Sequence, residues 1–397
     1  MAKEIEIKTV GLEHFDENML LSQFAFQYER TAEQLQESRQ QYIEEPATRY
    51  AAFVEQQLAA QATVLELQTY IGGRVFNMGG LAGVATWPEY RRQGLVAQII
   101  VQALQDMKEK GQVISYLHPF AFGFYRKFGW ETYTEYKSYT IQKELLPARA
   151  AYEGRIERFK GDYRLLSNLY ETYASRYNGT LVRTELWWTY RISKRKPGQI
   201  GLYYDKSGEA RGYVIYEVKN SRLSVHELIY LDEAARTALW SFISQHDSMI
   251  NELTITVPSD DQLPFLLSNP RIKQEVIPYF MARIVDAENF ISQYAFTAHA
   301  SEDSMTIQLQ DDKAPWNKGV YELRIDPTGK AFFKRLAENQ CNPNTINMDI
   351  GALTTMLLGY QRPDKLAEFG RIEGEVDPIN RLQARIPERT TYLPDFF

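Results

Sequence analysis

Isoleucines alternate with charged residues over Ile5–Ile7, and this period of two predicts a first strand. From Glu13 to Glu45 the spacing is helical, with polar residues crowding Glu33–Gln41. β-Branched and apolar residues at Val64–Ile71, a turn at Gly72-Gly73-Arg74 and then Val75–Met78 predict a hairpin. Gly79–Thr86 reads as a glycine-rich apolar strand closed by Pro88. Gly94 opens a helix in which Leu95, Val96, Ile99, Ile100, Ala103, Leu104 and Met107 share one broad apolar face, and Gly111 stops it. Val113–Leu117 is a short buried strand, Ala121–Phe128 a short helix, and Glu131–Gln142 a last strand with alternating aromatics. The order describes a complete mixed α/β domain.

The Pro/Ala-rich stretch Leu146-Pro-Ala-Arg-Ala predicts a boundary near residue 150. Beyond it, Asp162–Tyr177 reads as helix and Ile200–Tyr204, Gly212–Val218 and Arg222–Tyr230 as strands. Asp232–Ser244 is an amphipathic helix and Glu252–Val257 a further strand. This second α/β unit repeats the element order but lacks an Arg-x-x-Gly turn between strand and helix. From about Asp286 the texture changes to strands at Ser304–Leu309, Gly319–Ile325 and Gly329–Phe333, a helix at Asp349–Leu358 and an extended segment Arg389–Phe397. The expected division is 1–150, 151–286 and 287–397, in keeping with about 100–200 residues per domain.

Composition narrows the function classes. Lys and Arg number 45 against 51 Asp and Glu, a net charge of −6, which argues against a general nucleic-acid binder and mildly favours cationic partners. One cysteine, Cys341, leaves no intrachain disulfide and no cysteine-rich zinc site, and no His/Asp/Glu cluster has metal spacing. No apolar run approaches the roughly 20 residues of a membrane span, and the N-terminus reads as a strand rather than a signal peptide. A soluble, cytoplasmic protein is expected.

Chemistry concentrates in Val84-Ala-Thr-Trp-Pro-Glu-Tyr-Arg-Arg-Gln-Gly-Leu-Val-Ala. A strand ends, and basic residues and a glycine lead into a helix. Free N–H groups and the dipole at a helix N-terminus attract anions, and glycine lets backbone approach a phosphate. Two readings are open on this pattern alone: a pyrophosphate cradle, or an ordinary strand–turn–helix with solvated arginines. Gly-x-Ser-x-Gly, the mark of a serine nucleophile elbow, is absent.

The segment resembles motif A of the GNAT acetyltransferases, Arg/Gln-x-x-Gly-x-Gly/Ala, here Arg91-Arg92-Gln93-Gly94-Leu95-Val96. Val96 is bulkier than the usual small residue, as in the enhanced intracellular survival (Eis) family. Phe124-Tyr125-Arg126-Lys127-Phe128-Gly129-Trp130, the junction Met281–Asp286 and the final Phe397 resemble the same family. The resemblance covers the whole chain and implies a mixed α/β (α+β) fold: tandem GNAT-like domains, the second without the cofactor motif, then a sterol-carrier-protein-2-like domain. It implies acetyl transfer from acetyl-CoA to an amine by direct attack, without a metal. It places the cofactor along Val84, Ala85 and Thr86, in the loop Arg92, Gln93, Gly94, Leu95, Val96 and Ala97, and beside Phe120 and Ala121. Tyr125 takes the general-acid position and the Phe397 carboxylate that of the general base; packing and a frayed end are the alternatives. Aminoglycoside-type polyamines are among the acceptors it implies, and a hexamer the assembly. No nucleic-acid or membrane partner is expected. His118 is read as structural, with substrate binding or proton relay as its other roles. The competing readings are a lipid or sterol carrier acting through residues 290–397 and a non-catalytic acyl-CoA sensor.

Overall fold

The computed structural model describes residues 4–337 and 343–397, so Cys341 lies outside the described residues. The chain folds as three sheets with helices packed between and around them. The first has the order Ile5–Thr9, Ala47–Val54, Gln57–Ile71, Arg74–Thr86, Ile114–Leu117, Met281–Ile284, Glu131–Thr132. The second runs Lys273–Pro278, Glu135–Gln142, Glu252–Pro258, Arg222–Tyr230, Ala210–Lys219, Gln199–Tyr204, Arg155–Arg158. The third runs Ala331–Arg335, Gly319–Ile325, Asp303–Gln310, Thr345–Asp349, Ile372–Glu373.

The helix expected after Gly94 forms over Leu95–Glu109, and its apolar face, including Ile99, Ile100, Ala103, Leu104 and Met107, is buried. The hairpin is also present, longer than its apolar runs predict: Gln57–Ile71 pairs with Arg74–Thr86. Two expectations change. The helical stretch 13–45 is two helices, Phe15–Phe26 and Ala32–Glu44, broken at left-handed Gln27 and restarted by a capping box from Thr31 to Gln34. The strand expected over Glu131–Gln142 divides: Glu131–Thr132 pairs with Met281–Ala282, whereas Glu135–Gln142 pairs with Glu252–Pro258 in the second sheet. The two sheets therefore exchange strands, since Met281–Ile284, late in the chain, lies against Ile114–Leu117 of the first.

The third unit is riveted to that exchange. All nine residues of its helix Ile350–Leu358 are buried. The Thr354 hydroxyl accepts from the Ile284 amide at 2.9 Å, and the Thr355 hydroxyl donates to the Thr132 carbonyl at 2.8 Å. A buried Arg283–Asp311 ion pair at 2.6 Å joins the same strand to the third unit.

From this unit the C-terminal segment returns to the second. The amides of Asn178 and Tyr392 each donate to the other segment, to the Thr390 and Asn178 carbonyls, both at 3.0 Å. Farther on, Asp395 enters a buried charge cluster. Arg183 donates to Asp395 at 3.0 and 3.2 Å and bidentately to Glu227 at 2.9 and 2.6 Å. Trp187 and Tyr170 also donate to the Asp395 carboxylate, and Lys196 pairs with Glu227. Burial would raise the Glu227 carboxyl, but Arg183 and then Lys196 outweigh it and hold it well below the usual range.

Replacing Arg183 by Met leaves two buried carboxylates with one lysine. Chemical denaturation should show a loss of about 3–5 kcal/mol. The sign with pH follows from Glu227. Its contribution is full above the ordinary glutamate value of about 4.3 and lost as pH falls toward the depressed native value, so Glu227→Gln should flatten the acid limb of the wild-type stability curve.

Candidate active site

A cleft of about 1360 Å³ opens between the first sheet, the helices Phe15–Phe26 and Ala32–Glu44, and the segment around Arg195. Its floor is made by a divergence of two parallel strands. Arg74–Thr86 pairs with Ile114–Leu117 only over Met78–Gly80 opposite Ile114–Tyr116. Beyond Gly80 the strand keeps its partner Gln57–Ile71 on one edge, with an irregularity between Gln61 and Thr63. No described strand pairs with its other edge over Val84, Ala85 and Thr86, so backbone groups there can pair with an extended amide-bearing ligand.

At the end of this strand the turn aims donors outward. Arg92 and Gly94 are both left-handed, at φ 63° and 78°. Successive amides in such a turn form an anion-binding concavity. The first amides of the helix Leu95–Glu109 have no acceptor within it. A Cβ built on Gly94 would meet nothing within 4 Å, so the space before the helix is open. Arg91 folds back toward the Thr86 carbonyl at 3.4 Å. Donor set, open space and free strand edge fit the pyrophosphate and pantetheine of a CoA thioester.

Of the residues expected to hold the cofactor, Val84, Ala85, Thr86, Arg92, Gly94, Leu95, Val96, Ala97 and Phe120 line this cleft. Gln93 and Ala121 are not on its lining: the Gln93 side-chain Nε2 donates back to the Glu89 carbonyl, and Ala121 precedes the short helix Phe122–Arg126. That helix sets Tyr125 on the cleft, 2% exposed and edge-on to Phe120, Phe124 and Trp130. Burial raises the phenol above its ordinary value, so it keeps its proton throughout the neutral range.

The C-terminal segment reaches the same cleft from the opposite side. Phe396 and Phe397 both line it. The Phe397 ring lies 5.0 Å from Phe280 and 6.2 Å from Trp187. Gly80, where the strands part, leaves room for this ring: a Cβ there would stand 2.9 Å from Phe397 and from Leu67. Tyr279 donates to the Asp395 carbonyl at 3.0 Å and fixes the approach. His118 also lines the cleft, among the rings of Phe396, Phe280 and Tyr279, and burial holds its imidazole below the ordinary histidine range.

Sequence reasoning missed the other charged residues of the wall: Arg30, Glu45, Arg49, Arg191 and Arg195. They come from two distant stretches with no shared motif. The local pattern that could have set Arg30 apart from the following helix is Thr31-x-x-Gln34, which forms a capping box.

Family models match successive parts of the chain. Residues 6–133 and 179–284 each match an acetyltransferase (GNAT) domain family, and residues 287–394 match the sterol carrier protein domain family. The chain is 26% identical over 334 residues to an uncharacterized N-acetyltransferase of Streptomyces avermitilis, covering 77% of each. It is 24% identical over 341 residues to the N-acetyltransferase Eis of Mycobacterium tuberculosis, covering 80% of this chain and 79% of the relative. A crystal structure from Enterococcus faecalis V583, described as a probable N-acyltransferase, superposes with a TM-score of 0.93 at 29% identity over the full length of both chains. Eis1 of Mycobacterium abscessus shares the fold, with a TM-score of 0.81 at 19% identity over 99% of this chain and all of that one.

Gly94→Val should weaken acetyl-CoA binding strongly while leaving the fold in place. The added side chain occupies the space before the helix and is strained at positive φ, by about 1–2 kcal/mol. Calorimetry with acetyl-CoA checks it; unchanged affinity would remove this turn from the phosphate site.

Proposed function

The chain is an N-acetyltransferase of the GNAT/Eis type, two acetyltransferase domains followed by a sterol carrier domain, and from that premise we propose how its own residues carry the transfer. The observation that supports the reading is convergence: the parted strands, the open helix start, Tyr125 and the Phe396–Phe397 segment all face one cleft. The catalytic unit is residues 1–150, completed by strand Met281–Ile284; residues 151–286 and 287–397 hold the tail in place.

Acetyl-CoA supplies the acyl group as a thioester, and transfer to an amine forms a C–N bond as the C–S bond breaks. The amine must lose a proton and the departing sulfur must gain one. Tyr125, protonated and on the cleft, donates toward the sulfur. The Phe397 carboxylate accepts the amine proton. A terminal carboxylate ordinarily titrates near about 3.3–3.7, and a desolvated one is a stronger base. Phe397 as a residue is only 7% exposed, which supports a water-poor setting for that group. The cleft is wide enough for an aminoglycoside-type polyamine, the acceptor implied by the resemblance, but its arginines do not match a polycation's charge. A hexamer, the assembly the resemblance implies, is read by light scattering.

The lipid-carrier reading is less well supported. The helix Ile350–Leu358 spends its apolar surface on the first sheet and its own, which makes the third unit a scaffold. Thermal shift with CoA against a fatty acid separates the two. Steady release of CoA with an amine excludes the sensor reading.

Two variants test the roles. Tyr125→Phe keeps the ring and removes the donor, so kcat should fall roughly 10²–10⁴-fold with acetyl-CoA affinity unchanged. Wild-type turnover would return Tyr125 to packing.

The second concerns the tail. Intact mass spectrometry should find a chain ending at Phe397. Residues appended after it convert the carboxylate to an amide. Deleting it withdraws the carboxylate by one residue, about 3.3–3.6 Å, more than the reach of a proton-transfer contact. Both proteins should bind acetyl-CoA and acetylate very slowly, whereas an N-terminally tagged control stays active. Turnover at the control's rate in the appended protein would make the tail structural and direct attention to His118.

A further inference from the structure

The cleft carries six arginines and, apart from the chain-terminal carboxylate of Phe397, a single carboxylate, Glu45. Arg91 and Arg92 stand at the phosphate turn, which leaves Arg30, Arg49, Arg191 and Arg195 on the acceptor side. Glu45 is already taken, because Arg191 grips it bidentately at 2.8 and 2.7 Å. Among the described residues, no carboxylate forms an ion pair with Arg30, Arg49 or Arg195. Arg49 stacks 3.6 Å over the Tyr42 ring and donates to the Tyr42 and Glu45 carbonyls, which leaves further donors on its fork. Arg195 lies 4.5 Å over the Phe396 ring, one residue from Phe397. Arg49, Glu45, Arg191 and Arg195 therefore make a continuous wall with excess positive charge that ends beside the tail.

We propose that the acceptor is an amine that carries an anionic group, a carboxylate or a phosphate, and that Arg49 and Arg195 hold this anion while the amine faces Phe397. The proposal rests on acetyl transfer taking place in this cleft. Burial, and for Arg195 then the like charge of Arg191, depresses both guanidinium groups, and a bound anion would relieve both. A polycation would bring its charges against unpaired arginines, whereas planar guanidinium groups match carboxylate and phosphate oxygens. The chain's net negative charge thus does not describe its active cleft.

The test compares matched acceptors by the release of free CoA thiol: 5-aminopentanoate against 1,5-diaminopentane, O-phosphoethanolamine against ethanolamine, and kanamycin as the polycation. The anionic member should show a kcat/KM at least roughly tenfold higher in one pair, and which pair responds tells carboxylate from phosphate. Arg195→Gln and Arg49→Gln should raise KM for that amine roughly 10–100-fold, the loss of a charge-assisted contact. Their acetyl-CoA affinity should hold, which shows that they fold, and Arg195→Lys should recover part of the loss in KM. A better rate with the diamine, ethanolamine or kanamycin would overturn the proposal while leaving acetyl transfer intact, as would an unmoved KM in both Gln variants. Should no amine be acetylated, calorimetry in the presence of CoA still decides: anionic amines bound by the wild type and lost in the variants support the anion site although the transfer reading falls, and no binding overturns it.

Discussion

A buried guanidinium between two carboxylates sets the geometry on which the cleft depends. Arg183 joins Glu227 of the second sheet to Asp395 of the C-terminal segment, with side chains essentially sealed from water. Buried ion pairs are weak contributors to stability, since packed apolar groups can do as well. Their use here is register. The segment near Asp395 belongs to no sheet, and apolar side chains alone would let it slide. A guanidinium that meets two carboxylates, with Trp187 and Tyr170 on the same oxygens, tolerates no such slip. Phe396 and Phe397 follow within two residues, so the placement of both is fixed by Asp395.

The exchanged strands do for the sheets what Arg183 does for the tail. Glu135–Gln142 in the second sheet and Met281–Ile284 in the first make each sheet incomplete without the other. The cleft opens on the first sheet, and the short stretch from Arg183 to Lys196 supplies its far side: Arg183 and Trp187 for the tail, Arg191 and Arg195 for the wall. A domain without the phosphate turn has thus kept a place in the site through its surface rather than its own cleft.

Periodicity made the local elements legible and left the long-range ones hidden. The helix after Gly94 could be read because its apolar spacing and its glycine lie within one segment. The strand Ala47–Val54 was missed because its signal follows a polar helical run and only its pairing with Ile5–Thr9 and Gln57–Ile71 identifies it. Glu131–Gln142 reads as one strand because alternation continues through the break. The division becomes visible only in its partners, and in Tyr133, buried and stacked 4.5 Å from Tyr116 between the two halves. Candidate site residues in the turn were legible for the same local reason. The arginine wall was not, since Arg49 and Arg195 lie far apart in sequence and a net charge averages them away.

Electrostatics links the wall, the phenol and the tail. An amine that must attack at neutral pH has to shed a proton, and a carboxylate alone is a weak base for it. The positive charge of the wall stands beside that base. The same charge stabilises a carboxylate and weakens it as a base, which is tolerable only if the arginines are engaged elsewhere when the amine arrives. An acceptor that brings its own anion engages them. On the opposite side Tyr125, held neutral by burial, keeps the proton that the leaving sulfur requires. The acceptor's negative group and its amine are then parts of one requirement: the first quiets the wall so that the second can be deprotonated beside it.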